Sequence, residues 1–152
     1  MKKSKFLFCT LLFVFLSHIG AFQLEGGLNY NFKSWNYFAS ADFFLWSTVR
    51  VEKPDENTWM GYALNLSYEN ENIFISPMFG TLEFLPDITK TIFIGPKFGT
   101  IDYKKIGISL KGSTYMWQLI PFSLIVDPKY DFGENEFIWD FKCSIGIGKF
   151  IE

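Results

Sequence analysis

The sequence predicts an all-β fold, an eight-stranded antiparallel up-and-down β-barrel that follows an N-terminal signal peptide. In one segment after another, apolar and polar residues alternate with a period of two, as in strands with one apolar and one polar face. Short polar stretches separate these segments, and none shows helical periodicity. The 152 residues suggest one domain. Eight strands joined in chain order form a meander, which removes its exposed edges by closing into a barrel.

The first residues predict an export signal. Met1 to Lys5 is basic, and the apolar stretch that follows ends in small residues. We therefore expect a signal peptide over residues 1–21, with cleavage after Ala21, and a barrel domain over residues 22–152. An uncleaved N-terminal anchor is the alternative, although the apolar run is short for a span. Cleavage would leave Cys143 as the one cysteine, which excludes an internal disulfide.

The strands follow one another with breaks that have recognisable turn chemistry. The first strand alternates cleanly apart from Gly26 and Gly27. The second ends at Pro54 and the neighbouring charges, and the polar stretch from Asn70 to Asn72 separates the third strand from the fourth. Pro86 and Asp87 turn the chain again. The eight predicted strands are Phe22 to Phe32, Trp35 to Val49, Trp59 to Tyr68, Ile73 to Phe79, Thr91 to Ile101, Lys105 to Gly112, Tyr115 to Val126, and Phe137 to the C-terminus.

The end of the chain contains the ambiguous elements. The sixth strand is the most regular, and Gly112 to Thr114 predicts a tight turn after it. The seventh is apolar on both faces and contains Pro121, so its phase stays open, as does whether it spans the barrel. Asp127 to Glu136 predicts the longest polar loop.

Side-chain size predicts which face points outward. One strand phase holds mostly Gly, Ser, Asn and Ala with isolated charges, whereas the other holds Phe, Tyr, Trp, Ile and Leu. The interior of an eight-stranded barrel is just wide enough for side chains to fill. We therefore expect the small phase inside and the apolar phase toward lipid.

Six charged residues share the small phase, and three acids could pair with three bases in the lumen. Unpaired charges there would be costly. The set could form a structural plug or a path for protons or ions. Its members are Glu25, Asp42, Lys97, Lys111, Asp140 and Lys142.

Large aromatic residues lie mostly near strand ends, where transmembrane barrels carry interfacial girdles. The predicted interfacial aromatics are Tyr30, Trp35, Tyr37, Trp59, Tyr62, Tyr68, Trp117 and Trp139.

Together these features resemble the small eight-stranded outer-membrane β-barrel proteins of diderm bacteria. The resemblance covers Phe22 to Glu152 and is one of architecture, since no diagnostic motif is present. It implies an outer-membrane location after export, outer-membrane lipid as the surroundings, and a structural or surface-interaction role. A surface or envelope protein is the candidate partner. The identity of that partner, the oligomeric state and the loops that face outside stay open.

The residue types argue against catalysis and nucleic-acid binding. His18 is the one histidine and lies in the predicted signal peptide, so the mature chain has no imidazole for acid–base chemistry or zinc. A net charge of -2 gives no basic surface for nucleic acid. The acidic residues between Asp127 and Glu136 lack EF-hand spacing. We expect no cofactor, no metal site and no enzyme activity.

A soluble barrel is the main alternative. A secreted or periplasmic carrier of lipocalin type would show the same alternation with the faces exchanged, and its aromatic residues would line a pocket for an apolar ligand. The direction of the aromatic side chains distinguishes the two. A barrel enzyme that modifies acyl chains is a third candidate, which would need a nucleophile with a base partner.

Overall fold

Eight antiparallel strands close into a barrel in which consecutive strands pair and β1 pairs with β8. The computed structural model describes residues 19–53, 56–84, 88–100, 104–117 and 119–150. The side chains of 19–20, 45–53, 56–59, 84 and 149–150 lie outside the described set. The predicted all-β, up-and-down, eight-stranded fold is confirmed. The strands are β1 (Ile19–Tyr30), β2 (Trp35–Lys53), β3 (Glu56–Glu69), β4 (Asn72–Phe84), β5 (Ile88–Gly99), β6 (Lys105–Met116), β7 (Ile120–Asp131) and β8 (Glu136–Phe150).

The first strand begins near the predicted cleavage site. β1 starts at Ile19, and Ala21 is buried and pairs with Phe44 on β2 and with Phe150 on β8. Residues 1–18 lie outside the described residues, so the signal peptide stays a prediction.

The barrel has two ends, which we name by their connections. The upper end carries the β1–β2, β3–β4, β5–β6 and β7–β8 connections, and the lower end carries the start of β1, the end of β8 and the other three connections. The β3–β4 connection is two residues long. Its residues, Asn70 and Glu71, both have positive φ, of 47° and 63°, as in the hairpin turns that match strand twist.

The predicted turn at Gly112 to Thr114 is wrong. These residues lie inside β6, which continues to Met116, and β7 begins at Ile120 rather than at Tyr115. Gly112 pairs with Ile92 on one side and Leu124 on the other, so it belongs to the sheet. A Gly-Ser-Thr run is common in turns, but cross-strand pairing on both sides overrides that local preference.

The predicted long loop from Asp127 to Glu136 is also wrong. β7 continues to Asp131, pairs with both neighbours and crosses the barrel, and residues 132–135 make the connection. Asp127, Lys129 and Asp131 point inward and are buried, because they find charged partners in the lumen. A strand segment whose inward residues are charged resembles a polar loop when its partners are unknown.

The lower part of the lumen holds an apolar plug. Phe44 and Phe93 meet there with ring centroids 5.5 Å apart. The expectation of small inward residues is therefore wrong at this level. The buried cluster comprises Ala21, Phe44, Ala63, Met78, Leu82, Phe93 and Tyr115.

Candidate functional site

The lumen above the apolar plug is lined by polar and charged side chains. In the described part of the chain, buried polar and charged residues outnumber buried hydrophobic ones by about two to one. Such burial is tolerated only when the groups pair with one another. The charged side chains form two groups, which we call the lower group and the upper group.

The lower group is built around Lys111 on β6. Its ammonium contacts Glu25 on β1 and lies 2.5 Å from Asp42 Oδ2 on β2. Asn65 donates a 2.8 Å hydrogen bond to Asp42 Oδ1, and Ser123 donates to Glu25. All of these side chains are buried. Two carboxylates thus share one lysine, and neutral donors satisfy their remaining oxygens.

The upper group joins three carboxylates and three lysines. Lys97 and Lys142 both contact Glu69, and both also contact Asp127, with 2.5 Å between Lys97 Nζ and Asp127 Oδ2. Lys129 contacts Asp140 and lies 3.5 Å from Glu69. The charges in this group balance within a closed network.

Aromatic rings complete the surroundings of these lysines. The ammoniums of Lys97 and Lys129 lie 4.7 Å and 4.9 Å from the centroid of the Phe74 ring, and that of Lys142 lies 5.4 Å from the centroid of Phe38. The ring faces carry partial negative charge, so the inward phenylalanines stabilise the cations as well as filling space.

The structure places all six predicted lumen charges inside the barrel. Glu25, Asp42 and Lys111 come together in the lower group, whereas Lys97, Asp140 and Lys142 belong to the upper group. Sequence reasoning missed Glu69, Asp127 and Lys129. The alternation of inward and outward residues could have found them, because each residue continues the inward phase of its strand beyond the predicted strand end, Tyr68 for β3 and Val126 for β7.

The part of the lumen that the described side chains line is almost full. A void of about 10 Å³ lies between the two charge groups, and another of about 30 Å³ lies toward the upper end beside Asp140 and Lys129. The first is at the limit for one water molecule, and the second is little larger. Buried polar atoms without a protein partner, such as Asp140 Oδ1 and the side-chain amide of Asn29, lie in this upper region. The described lumen therefore has room for isolated waters and no space for an apolar ligand.

A salt bridge closes the upper rim. Lys33 in the β1–β2 turn donates to Glu136 at the start of β8, with 2.6 Å between Lys33 Nζ and Glu136 Oε2. This hydrogen bond lowers the pKa of the Glu136 carboxyl and raises the pKa of Lys33. Both groups are solvated, so the pair ties the turn to β8 without a large energy.

Candidate metal ligands and the cysteine of the described residues can be located directly. No group of three His, Cys, Asp or Glu side chains among them could hold a metal ion. Cys143 is exposed on the outer face of β8, on the opposite side of the sheet from the carboxylates.

The outer surface is apolar around the barrel. Each described strand exposes large side chains in the phase opposite to the lumen charges, with Leu124 70% and Ile147 65% exposed. Aliphatic residues dominate β5 and β6, whereas rings cluster at the upper end of β8, β1 and β2. There Tyr30 and Trp35 have centroids 4.8 Å apart, and Phe32 meets Phe141 at 5.4 Å.

Most of the predicted interfacial aromatics lie near a strand end, whereas Tyr62 lies in the middle of β3. Tyr30 is half-buried in the upper ring cluster, and the side chain of Trp59 lies outside the described set. Trp117 is in the connection after β6 at the lower end. The exposed ones are Trp35, Tyr37, Tyr62, Tyr68, Trp117 and Trp139.

In the described part of the chain, we find no helix that is both long and apolar enough to cross a bilayer.

Comparison with known proteins gives one structural likeness. No family model matches the chain, and no curated protein matches it. A solved structure described as "De novo design of transmembrane beta-barrels" is similar to this chain with a TM-score of 0.47 and 14% sequence identity, over 86% of this chain and 94% of that one.

Proposed function

We propose that this chain is an integral β-barrel protein of the bacterial outer membrane, exported by its N-terminal signal and without enzyme activity. Its role would be structural or one of surface interaction, with lipid around it and an envelope or surface protein as the candidate partner. The observation that carries the proposal is that the barrel buries paired charges and exposes large apolar side chains, the reverse of the arrangement in a water-soluble protein.

The height of the apolar surface supports a membrane location. On β8 the outward apolar residues run from Phe137 to Ile147. With a rise of about 3.3 Å per residue and a tilt of about 45°, such a stretch covers about 25 Å along the barrel axis. Transmembrane barrels carry an outward apolar band of about 25 Å. A water-soluble barrel would have to hide all of this surface from water.

The soluble carrier is disfavoured by the same side chains. A lipocalin-type barrel needs an apolar cavity, whereas the described lumen holds a charge network and voids of about 10 and 30 Å³. The described aromatic residues on the outer phase also point away from the barrel axis.

Membrane extraction tests the proposal. Expressed with its own N-terminus in a diderm host, the protein should stay in the membrane pellet after high-pH carbonate treatment and fractionate with the outer membrane. It should also migrate faster on a gel before boiling than after. N-terminal sequencing of the pelleted protein should begin at Phe22. Release into the carbonate supernatant as a detergent-free monomer would contradict the membrane assignment.

A further inference from the structure

A groove of about 470 Å³ interrupts the bulky outer surface of β5 to β8. Gly112 on β6 forms its floor and stands in one cross-strand row between Ile92 on β5 and Leu124 on β7. Cys143 continues this row on β8. Because Gly112 has no side chain and Cys143 a small one, Ile92 and Leu124 border a trough that is open to the surroundings of the barrel.

An exposed ammonium lies at the lower end of this trough. Lys90 on β5 is exposed, pairs in register with Thr114 on β6, and makes no ion pair or hydrogen bond with any described residue. Glu83 stands across from it on β4, on the side away from the trough, and no ion pair joins them. The lumen lysines, by contrast, are all held by carboxylates.

The position of Lys90 matches a membrane–water boundary. Glu83, Lys90 and Thr114 are neighbouring outward residues on β4, β5 and β6. Lys90 and Thr114 lie two residues above the exposed Ile88 and Met116, with which β5 begins and β6 ends. Above Lys90 the outward residues of β5 are apolar, from Ile92 to Phe98. Basic side chains at this level attract anionic headgroups. An apolar trough that ends at a lysine with no ion-pair partner among the described side chains therefore offers a site for both an acyl chain and an anionic headgroup.

We propose that this groove binds one anionic glycerophospholipid, with an acyl chain along Gly112 and the headgroup phosphate at Lys90. The inference rests on the proposed membrane insertion. It adds the class of lipid that is bound and the position of that lipid on the barrel. The apolar walls would hold the chain of any lipid, whereas Lys90 would favour a negative headgroup.

Native mass spectrometry of the full chain tests this binding. In detergent with equimolar phosphatidylglycerol and phosphatidylcholine, the protein should retain one lipid molecule. The population with bound phosphatidylglycerol should exceed that with bound phosphatidylcholine by about fivefold. Lys90→Gln should remove the preference, and Lys104→Gln at the upper end should keep it. Gly112→Val should fill the trough and reduce retention of both lipids. Gly26→Val is the matched control, because Gly26 also faces outward and a Cβ there would lie 4.0 Å from its nearest neighbour, as at Gly112.

A second measurement avoids any folding defect in these variants. With Cys9 replaced by Ser, a maleimide should react with Cys143 more slowly in phosphatidylglycerol bicelles than in phosphatidylcholine bicelles. Three results would each overturn the groove assignment. They are equal lipid retention by the unmodified protein and Lys90→Gln, equal rates of the Cys143 reaction in the two kinds of bicelle, and a second copy of the chain bound in place of the lipid. A protein that inserts without discriminating between lipids contradicts this inference alone, whereas one that never enters bilayers contradicts the proposed function.

Discussion

Glu69 is the residue on which the upper charge group most depends. Lys97 and Lys142 contact one of its carboxylate oxygens, and Lys129 lies 3.5 Å from the other. The polar residues that follow Glu69 predict a turn, yet β3 keeps its alternation to its last residue. The alternation of inward and outward side chains thus continues into a stretch whose polar composition is typical of a turn. An inward charge at such a strand end is therefore easily assigned to the turn when only the sequence is known.

Replacing this carboxylate should destabilise the barrel strongly. Glu69→Gln leaves three buried lysines with two carboxylates, and removal of one member of a buried ionic network costs about 3–5 kcal/mol. The free energy of unfolding, measured by urea titration of the protein folded in detergent or lipid, should fall by this amount. Glu136→Gln removes the same charge from the solvated rim and is the control, with little expected change. Equal stability of Glu69→Gln and the unmodified protein would show that the network is not holding the lumen together.

At the scale of the strand, glycines on the inward phase mark close approaches between neighbouring backbones. A Cβ at Gly80 on β4 would stand 1.9 Å from the carbonyl oxygen of Ile92 on β5, and one at Gly146 on β8 would stand 1.9 Å from that of Leu24 on β1. Size alone suggests that these glycines only leave room in a narrow lumen. The structure shows a stricter requirement, because the backbone of the neighbouring strand lies where a side chain would begin.

Alanine at such a position should prevent normal strand pairing. Gly80→Ala should lower the free energy of unfolding by about 2 kcal/mol or more, because backbone rather than a flexible side chain must move. Gly112→Ala is the matched control, since its Cβ would lie 4.0 Å from the nearest atom. The fraction of each variant that runs as the heat-modifiable form after refolding gives the comparison. Equal folded fractions would contradict the close approach.

The β1–β2 turn should respond to pH through its link to β8. Lys33 lowers the pKa of Glu136 below its ordinary value of 4.5, so the link is present at neutral pH and weakens as the pH falls through the lowered value. The raised pKa of Lys33 means that the link also weakens at pH values above its ordinary 10.5. An NMR titration of the Glu136 carboxyl should give a midpoint below that of an exposed glutamate. The midpoint should rise in Lys33→Gln and at high salt, and an unchanged midpoint would refute the link.

For the molecule as a whole, closure of the sheet decides what the lumen can do. Charges from seven strands meet in a space whose described voids are of water size, and an apolar plug lies below them. Ion flow would require a continuous wet path. The filled lumen therefore favours a structural plug over the ion path that the same charges could suggest.

The protein should accordingly conduct no ions across planar bilayers. Inserted at high salt, it should produce no discrete current steps, whereas a wide porin in the same bilayer provides the positive control. Steps whose size grows with salt concentration would contradict a sealed lumen. Insertion itself must be verified by protease protection in vesicles prepared in parallel.

The sequence by itself determined the strand count, the two faces and most of the inward charges, because period-two alternation is a property of the local backbone that needs no partner. Only the tertiary structure decided where strands end and which charges meet. Asp127, Lys129 and Asp131 are strand residues because lysines and carboxylates on other strands, both adjacent and more distant, neutralise them. Pairing of that kind depends on register and on the closure of β1 against β8, neither of which one segment contains.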